Sequence, residues 1–170
     1  MGIANSSESG REISALLQLL VESFPDEIGD AAMAGGDACA VAAPEALSKI
    51  LGFLKNDPRM HFDMLVDITA VDYLERKPRF EVVYHLLSLP LNQRIRIKTR
   101  IPGAKPAVDS AVALWASANW LEREVWDMFG IEFTGHPDLK RILLYPEFQG
   151  HPLRKDYPIR GRQPLVGPKN

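Results

Sequence analysis

Carboxylates, cations and imidazoles crowd one stretch of this 170-residue chain. Glu122, Arg123, Glu124 and Asp127 come first, and His136, Arg141, His151, Arg154, Lys155 and Asp156 follow. Three chemistries use such residues. An acid and a base held together can move protons. Clustered His and Asp can hold a metal. Interleaved cations, carboxylates and aromatics can clamp one surface onto another.

Glu122 is the most informative of the set. On a helix turning about 100° per residue, Leu121, Val125 and Met128 form one stripe, which Trp126 and Phe129 extend. Glu122 projects on that apolar side, where a carboxylate must be paired, hydrogen-bonded or protonated. It can cap its own helix as part of a box with Asn119, pair with an arginine of the following segment or a partner, or serve as an acid of raised pKa. Arg123 and Asp127 stand four apart on the opposite side, as an ordinary surface pair.

Two Gly-His-Pro turns, at 135–137 and 150–152, bring His136, Asp138, His151 and Asp156 into view as metal ligands. Their spacing fits no compact metal signature and no cysteine joins them. The structural reading is simpler: glycine gives the turn its freedom, and proline stiffens it and keeps the histidine before it extended. There is no phosphate-binding glycine loop and no serine elbow. Cys39 is expected to be an inert thiol, and one cysteine cannot hold an iron–sulfur cluster or a disulfide framework.

The elements that must position these residues follow from periodicity. Ile13, Leu16, Leu17, Leu20 and Phe24 predict a helix over 11–24, ended by Pro25. Residues 38–42 predict a short strand, and Pro44 opens a helix that runs to Asp57-Pro58. Strands are expected at 62–73 and 79–89. At 94–101, Arg94, Arg96, Lys98 and Arg100 alternate with Ile95, Ile97, Thr99 and Ile101, which puts four cations on one face of a strand. That cationic face is either solvated or a docking surface for an acidic neighbour. A short turn at 90–93 makes a hairpin of the last two strands. Residues 109–129 predict a helix broken near 117–119, with Asn119 capping its second part. After Gly130 prolines and glycines abound among large apolar residues, so 131–170 is expected to be an extended arm. The first ten residues are expected to fray. The fold expected is α+β: a two-layer domain over 11–130, a mixed sheet with helices on one face, then the irregular arm.

Charge adds a bias. Residues 1–90 carry 7 Lys and Arg against 14 Asp and Glu, and residues 91–170 carry 13 against 8, consistent with the overall −2. A basic half can bind a polyanion or lie on an acidic partner. No nucleic-acid motif accompanies it. No run of roughly 18 apolar residues is present, so no membrane span is expected. The first residues lack a basic and then apolar signal pattern. They do match the short N-myristoylation pattern, Met1-Gly2 with Ser6, taken as coincidence. The lone cysteine suits a reducing compartment.

The run Glu-Arg-Glu-Val-Trp-Asp-Met-Phe-Gly at 122–130 continues into Gly-His-Pro-Asp-Leu-Lys-Arg-Ile-Leu at 135–143. Gly-His-Pro-Leu-Arg-Lys-Asp-Tyr-Pro follows at 150–158. With these motifs the chain resembles the 30-kDa subunit family of respiratory complex I, the C-type subunit of the bacterial NADH-quinone oxidoreductase. The resemblance spans about 40–160. It implies a scaffold subunit of the peripheral arm with no catalytic, cofactor-binding or metal-binding residues of its own. The flavin and iron–sulfur clusters would sit in partner subunits. It implies docking on a separate 49-kDa subunit near the quinone module, on the cytoplasmic side of the cell inner membrane. Glu122, Arg123, Glu124 and Asp127 would hold the helix against the arm. His136, Arg141, His151, Arg154, Lys155 and Asp156 would anchor the arm to the partner. The same chain would suit a related membrane-bound hydrogenase or a reduced-deazaflavin dehydrogenase. The contrasting expectation is a free-standing enzyme with Glu122 as acid and a Gly-His-Pro histidine as base.

Overall fold

A computed structural model of the chain describes residues 14–164. The fraying expected at 1–10, the lipidation pattern and the first residues of the 11–24 helix lie outside the described residues.

Helix α1 (Ala15–Ser23) opens on Ser14, whose hydroxyl accepts from the Leu17 N–H. Strands β1 (Ile28–Ala34) and β2 (Asp37–Ala42) form an antiparallel hairpin turned at Gly35 and Gly36, both at positive φ. One 3-10 turn at Pro44–Ala46 leads into α2 (Leu47–Asn56). Strands β3 (Met64–Asp72), β4 (Phe80–Ser88) and β5 (Gln93–Ile101) follow as an antiparallel meander. The sheet order is β1-β2-β5-β4-β3, and the β2–β5 pair is parallel, so the sheet is mixed.

The pleat divides the sheet into two unlike faces. Ala38, Ala40 and Ala42 of β2, Ile95, Ile97 and Ile101 of β5, Phe80, Val82, Tyr84 and Leu86 of β4, and Leu65, Ile68 and Ala70 of β3 are buried in one core. Leu17 and Leu20 of α1 and Leu47, Ile50, Leu51 and Leu54 of α2 fill the same core, so the helices cover one face. The alternation at 94–101 turns its cations to the other face, as period two requires. They are largely satisfied by the sheet itself. Lys98 meets Glu81 at 3.0 Å, Arg100 meets Glu81 at 3.3 Å and Asp30 at 3.5 Å, and Arg96 meets Asp37 at 3.6 Å. Arg94 has no ion pair among the described residues. The docking surface that four free cations would make is therefore mostly a set of cross-strand pairs.

Two elements differ from the sequence expectation. Strand β1 forms in Ile-Gly-Asp-Ala-Ala-Met-Ala, which has one β-branched residue; pairing with β2, and not propensity, makes it a strand. The helix expected from 109 starts only at Ala118: α3 is Ala118–Phe129. Residues 107–109 form a short strand, β6 (Ala107–Asp109), parallel to β7 (Glu132–Thr134), and turns fill 111–117. The break anticipated near 117–119 is thus the helix start. The segment after Gly130 begins as a strand of the domain before it becomes irregular.

Ile97 is fully buried at the centre of this core, whereas Arg94 lies at the exposed start of the same strand. Ile97→Ala is expected to cost about 2–5 kcal/mol in urea unfolding, and Arg94→Ala about 0.5 kcal/mol or less.

Candidate functional site

Helix α3 ends with four backbone carbonyls that no later turn of helix can satisfy. Gly130 and the arm supply their partners. The Trp126 carbonyl accepts from the Gly130 N–H at 2.8 Å, and the Met128 carbonyl from the Leu153 N–H at 3.1 Å. The Asp127 carbonyl accepts from His151 Nδ1 at 3.0 Å, and the Phe129 carbonyl from Arg154 Nε at 2.6 Å. The cationic Arg154 also suits the negative end of the helix dipole. Gly130 makes this closure fit. Its φ of +70° turns the chain out of the helix, and a Cβ there would stand 2.6 Å from the His151 ring. His151 packs edge-on to Trp126, and burial pushes its pKa down.

Asp127 is the second attachment. Helical spacing alone puts it on the outer side beside Arg123, but its side chain is completely buried because the arm covers that side. One oxygen accepts from Arg141 at 2.5 Å. The other accepts from the consecutive N–H groups of Ile142, Leu143 and Leu144 at 3.1, 3.0 and 2.9 Å. Burial opposes its ionisation, but these backbone donors and the Arg141 guanidinium outweigh burial and hold the carboxyl below its ordinary value. Arg141 also donates to the Phe148 carbonyl at 2.8 Å and lies between the Trp126 and Phe148 rings. Arg123 does not pair with Asp127. It donates to the carbonyls of Lys140 and Arg141 at 3.1 and 2.9 Å, so helix and arm are held from both sides.

A third attachment joins the arm to the β3–β4 hairpin. Arg79 binds buried Asp72 through two hydrogen bonds of 2.8 and 2.7 Å and Asp156 through one of 2.8 Å. The Lys155 N–H also donates to Asp72 at 2.9 Å. The Arg79 guanidinium holds both carboxyls below their usual range. His136 closes the near end: one ring nitrogen meets the Asn119 carbonyl at 3.0 Å and the other accepts from the Asp138 N–H at 3.0 Å.

Glu122 takes neither its own helix cap nor an arginine of the arm as its partner, while its pKa is raised, as one reading expected. Asn119 lies inside α3, and Ser117 precedes the helix without a side-chain cap, so there is no capping box. Among the described residues no arginine reaches Glu122. Its oxygens accept from the Ser110 hydroxyl and the Ala111 N–H, both at 2.6 Å. The side chain has no exposed surface. Burial raises its pKa; the Ser110 and Ala111 hydrogen bonds and the charge of His136 oppose that rise. Glu122 therefore fastens the loop before α3, where the extended helix was expected. Glu124 is exposed and makes no hydrogen bond or ion pair among the described residues, so it takes no part in holding helix to arm.

His136, Arg141, His151, Arg154 and Asp156 thus spend polar atoms on their own domain. Lys155 contributes its backbone N–H, and its side chain is exposed. Among the described residues no three His, Cys, Asp or Glu come together as a metal site. Cys39 is half-buried on β2, across from Arg96 of β5. Sequence reasoning missed Asp72 and Arg79, which flank a hairpin; their spacing carries no signal, because the hairpin folds them together.

Known proteins match this arrangement over most of its length. The family model described as "Respiratory-chain NADH dehydrogenase, 30 Kd subunit" matches residues 40–163. The second C-type subunit of the NADH-quinone oxidoreductase of Rhizobium etli is 47% identical over 149 residues, covering 88% of this chain and 79% of its own. The C-type subunit of the NADH-quinone oxidoreductase of Citrifermentans bemidjiense is 47% identical over 150 residues, 87% of this chain and 92% of its own. Among solved structures, the trypsin-resistant fragment of Nqo5 superposes with a TM-score of 0.63 at 36% identity, over 72% of this chain and 97% of the fragment. A chain of the membrane-bound sulfane sulfur reductase, an archaeal respiratory membrane complex, gives 0.71 at 26% identity, over 85% of each.

Asp127→Ala strands Arg141 and three N–H groups and is expected to cost about 3–5 kcal/mol in urea unfolding, whereas Glu124→Ala is expected to cost about 0.5 kcal/mol or less. The two buried carboxyls on α3 titrate with opposite signs. The contribution of Asp127 is present above its ordinary value of 3.8 and is lost as pH falls through its lower folded value. That of Glu122 is present below its ordinary value of 4.5 and is lost as pH rises through its higher folded value. Urea midpoints followed from about pH 3 to pH 8 check both signs. Asp127→Asn is expected to flatten the acid side, and Glu122→Gln the less acidic side.

Proposed function

The chain belongs to the 30-kDa subunit family of the respiratory-chain NADH dehydrogenase, and we propose that it is a non-catalytic scaffold subunit of the peripheral arm of an NADH-quinone oxidoreductase. In this reading it docks on the 49-kDa subunit near the quinone module, on the cytoplasmic side of the cell inner membrane. The flavin and iron–sulfur clusters belong to its partners.

One observation carries the reading. Asp127, Arg141, His136, His151, Arg154 and Asp156 of the two motifs are engaged inside the chain, while large apolar side chains on the same helix and arm face outward. Trp120 is 65% exposed, Leu143 61% and Leu153 54%. Arg141, Arg154 and Asp127 set the path of the arm and leave Leu143 and Leu153 on its outer side. Trp120 lies under the Arg123 guanidinium, 5.4 Å from its ring centroid. Aromatic and arginine side chains of this kind dominate the energetics of many interfaces. An acid–base enzyme would need the reverse arrangement, with charged groups open and apolar groups closed.

The likeness to a chain of the sulfane sulfur reductase supports a second reading. The chain would have an equivalent place in a related respiratory membrane complex, with a different electron donor or acceptor. Its own role, holding neighbouring subunits in place, would not change.

Affinity purification of the full-length chain from its own cells is expected to bring down the 49-kDa subunit. The double variant Trp120→Ala, Leu143→Ser is expected to recover at least tenfold less of it, with an unchanged thermal melt, because both side chains are mostly exposed. Recovery of no respiratory subunit by the unaltered chain contradicts the scaffold reading.

A further inference from the structure

Beyond the second Gly-His-Pro turn, the chain makes one tight reversal. The Gly161 N–H donates to the Pro158 carbonyl at 2.9 Å, which leaves Ile159 and Arg160 at the tip. Ile159 is 100% exposed. A single exposed isoleucine is ordinary on a protein surface. This one stands at the tip of a turn whose two sides are hydrogen-bonded to the rest of the arm.

The turn is pinned on both sides. Before it, the Tyr157 N–H donates to the Arg154 carbonyl at 3.0 Å, and the Tyr157 ring stacks on Phe148 with centroids 6.1 Å apart. Arg79 and Asp72 hold Asp156 and the Lys155 backbone. After it, Gln163 forms a pair of hydrogen bonds with the Gln149 backbone, at 2.9 and 3.0 Å, and a third with the Tyr157 hydroxyl. Pro158 fixes its own φ, and Gly161 leaves room for the Pro158 carbonyl, which a Cβ there would approach to 3.1 Å. A projection fixed in this way loses little conformational entropy when it is bound.

Its charge is one-sided. Residues 153–162 contain Arg154, Lys155, Arg160 and Arg162 against Asp156 alone. Arg154 and Asp156 are engaged inside the chain. Lys155, Arg160 and Arg162 are exposed and have no ion pair among the described residues. The tip is thus an exposed apolar side chain with three exposed cations within four residues of it in sequence.

We infer that the Pro158–Gly161 turn is a docking plug: Ile159 enters an apolar pocket on the partner subunit, and acidic groups on the pocket rim face Lys155, Arg160 and Arg162. The inference rests on the scaffold reading, whose outward Trp120 and Leu143 lie elsewhere on the helix and arm. A protein pocket suits the tip better than a lipid surface. One short irregular turn offers a membrane a single apolar side chain, whereas interfacial binding needs a broad apolar face.

The test titrates the full-length chain, as wild type or variant, against the partner subunit recovered with it. Ile159→Asp is expected to weaken binding at least tenfold and to leave the thermal melt unchanged. Arg160→Ala is expected to weaken it severalfold at low salt, and this deficit should vanish at about 1 M salt, where the Debye length is about 3 Å. The Ile159→Asp deficit should persist there. Wild-type binding by Ile159→Asp overturns the plug and leaves the scaffold reading intact. Failure of the wild-type chain to bind any respiratory subunit overturns both. Sedimentation of the wild-type chain, but not Ile159→Asp, with phosphatidylglycerol vesicles overturns the assignment to a protein pocket.

Discussion

A helix that ends inside a protein must find partners for its last four carbonyls. In this chain every one of those partners lies after the helix: one in Gly130 and three in the arm. That requirement fixes the path of some thirty residues that have little regular structure of their own. It also explains why the two motifs sit where they do. The first supplies the helix and its buried carboxylate, and the second supplies the histidine, the backbone N–H and the arginine that close the helix end. Gly130 permits the approach, and only a residue without a Cβ fits beneath His151.

Asp127 completes the closure by acting as a substitute for regular structure. Three consecutive N–H groups that would otherwise need a strand or helix partner converge on one carboxylate oxygen. An irregular segment can stay ordered when its backbone donors are satisfied in this way. The ion pair with Arg141 balances a charge that burial alone would not tolerate. Polar chemistry that looks reactive in the sequence is thus used to order the arm. Large apolar side chains of the helix and arm, Trp120, Leu143 and Leu153, are left outside.

Much of the fold was legible because it follows simple periods. The alternation over 94–101 fixed a strand and its faces, and the turn at 90–93 joined it to its neighbour. Leu47, Ile50, Leu51 and Leu54 marked α2 by the same logic at helical spacing. Strand β1 was not legible, because its small residues acquire strand geometry only by pairing with β2. The segment at 110–117 has helix-forming residues but becomes turns, since Glu122 captures Ser110 and Ala111. The site was legible in composition and not in geometry. A helical wheel orients Asp127 relative to its own apolar stripe and gives no sign that a later segment covers the far side. It placed Glu122 correctly on the inner side but could not identify a distant serine as its partner. Asp72 and Arg79 were missed because the contacts that make them important, of Asp72 to the Lys155 N–H and of Arg79 to Asp156, exist only in three dimensions.

The central claim is that Asp127 orders the arm on the isolated chain and thereby fixes which surface is offered outward. Amide hydrogen exchange at Ile142, Leu143 and Leu144 in the full-length protein, free of partners, tests it most directly. These three amides should exchange far more slowly than an unstructured peptide, and Asp127→Asn should accelerate all three together. Exchange at the unstructured rate in the unaltered chain would contradict the claim, and so would protection unchanged by Asp127→Asn.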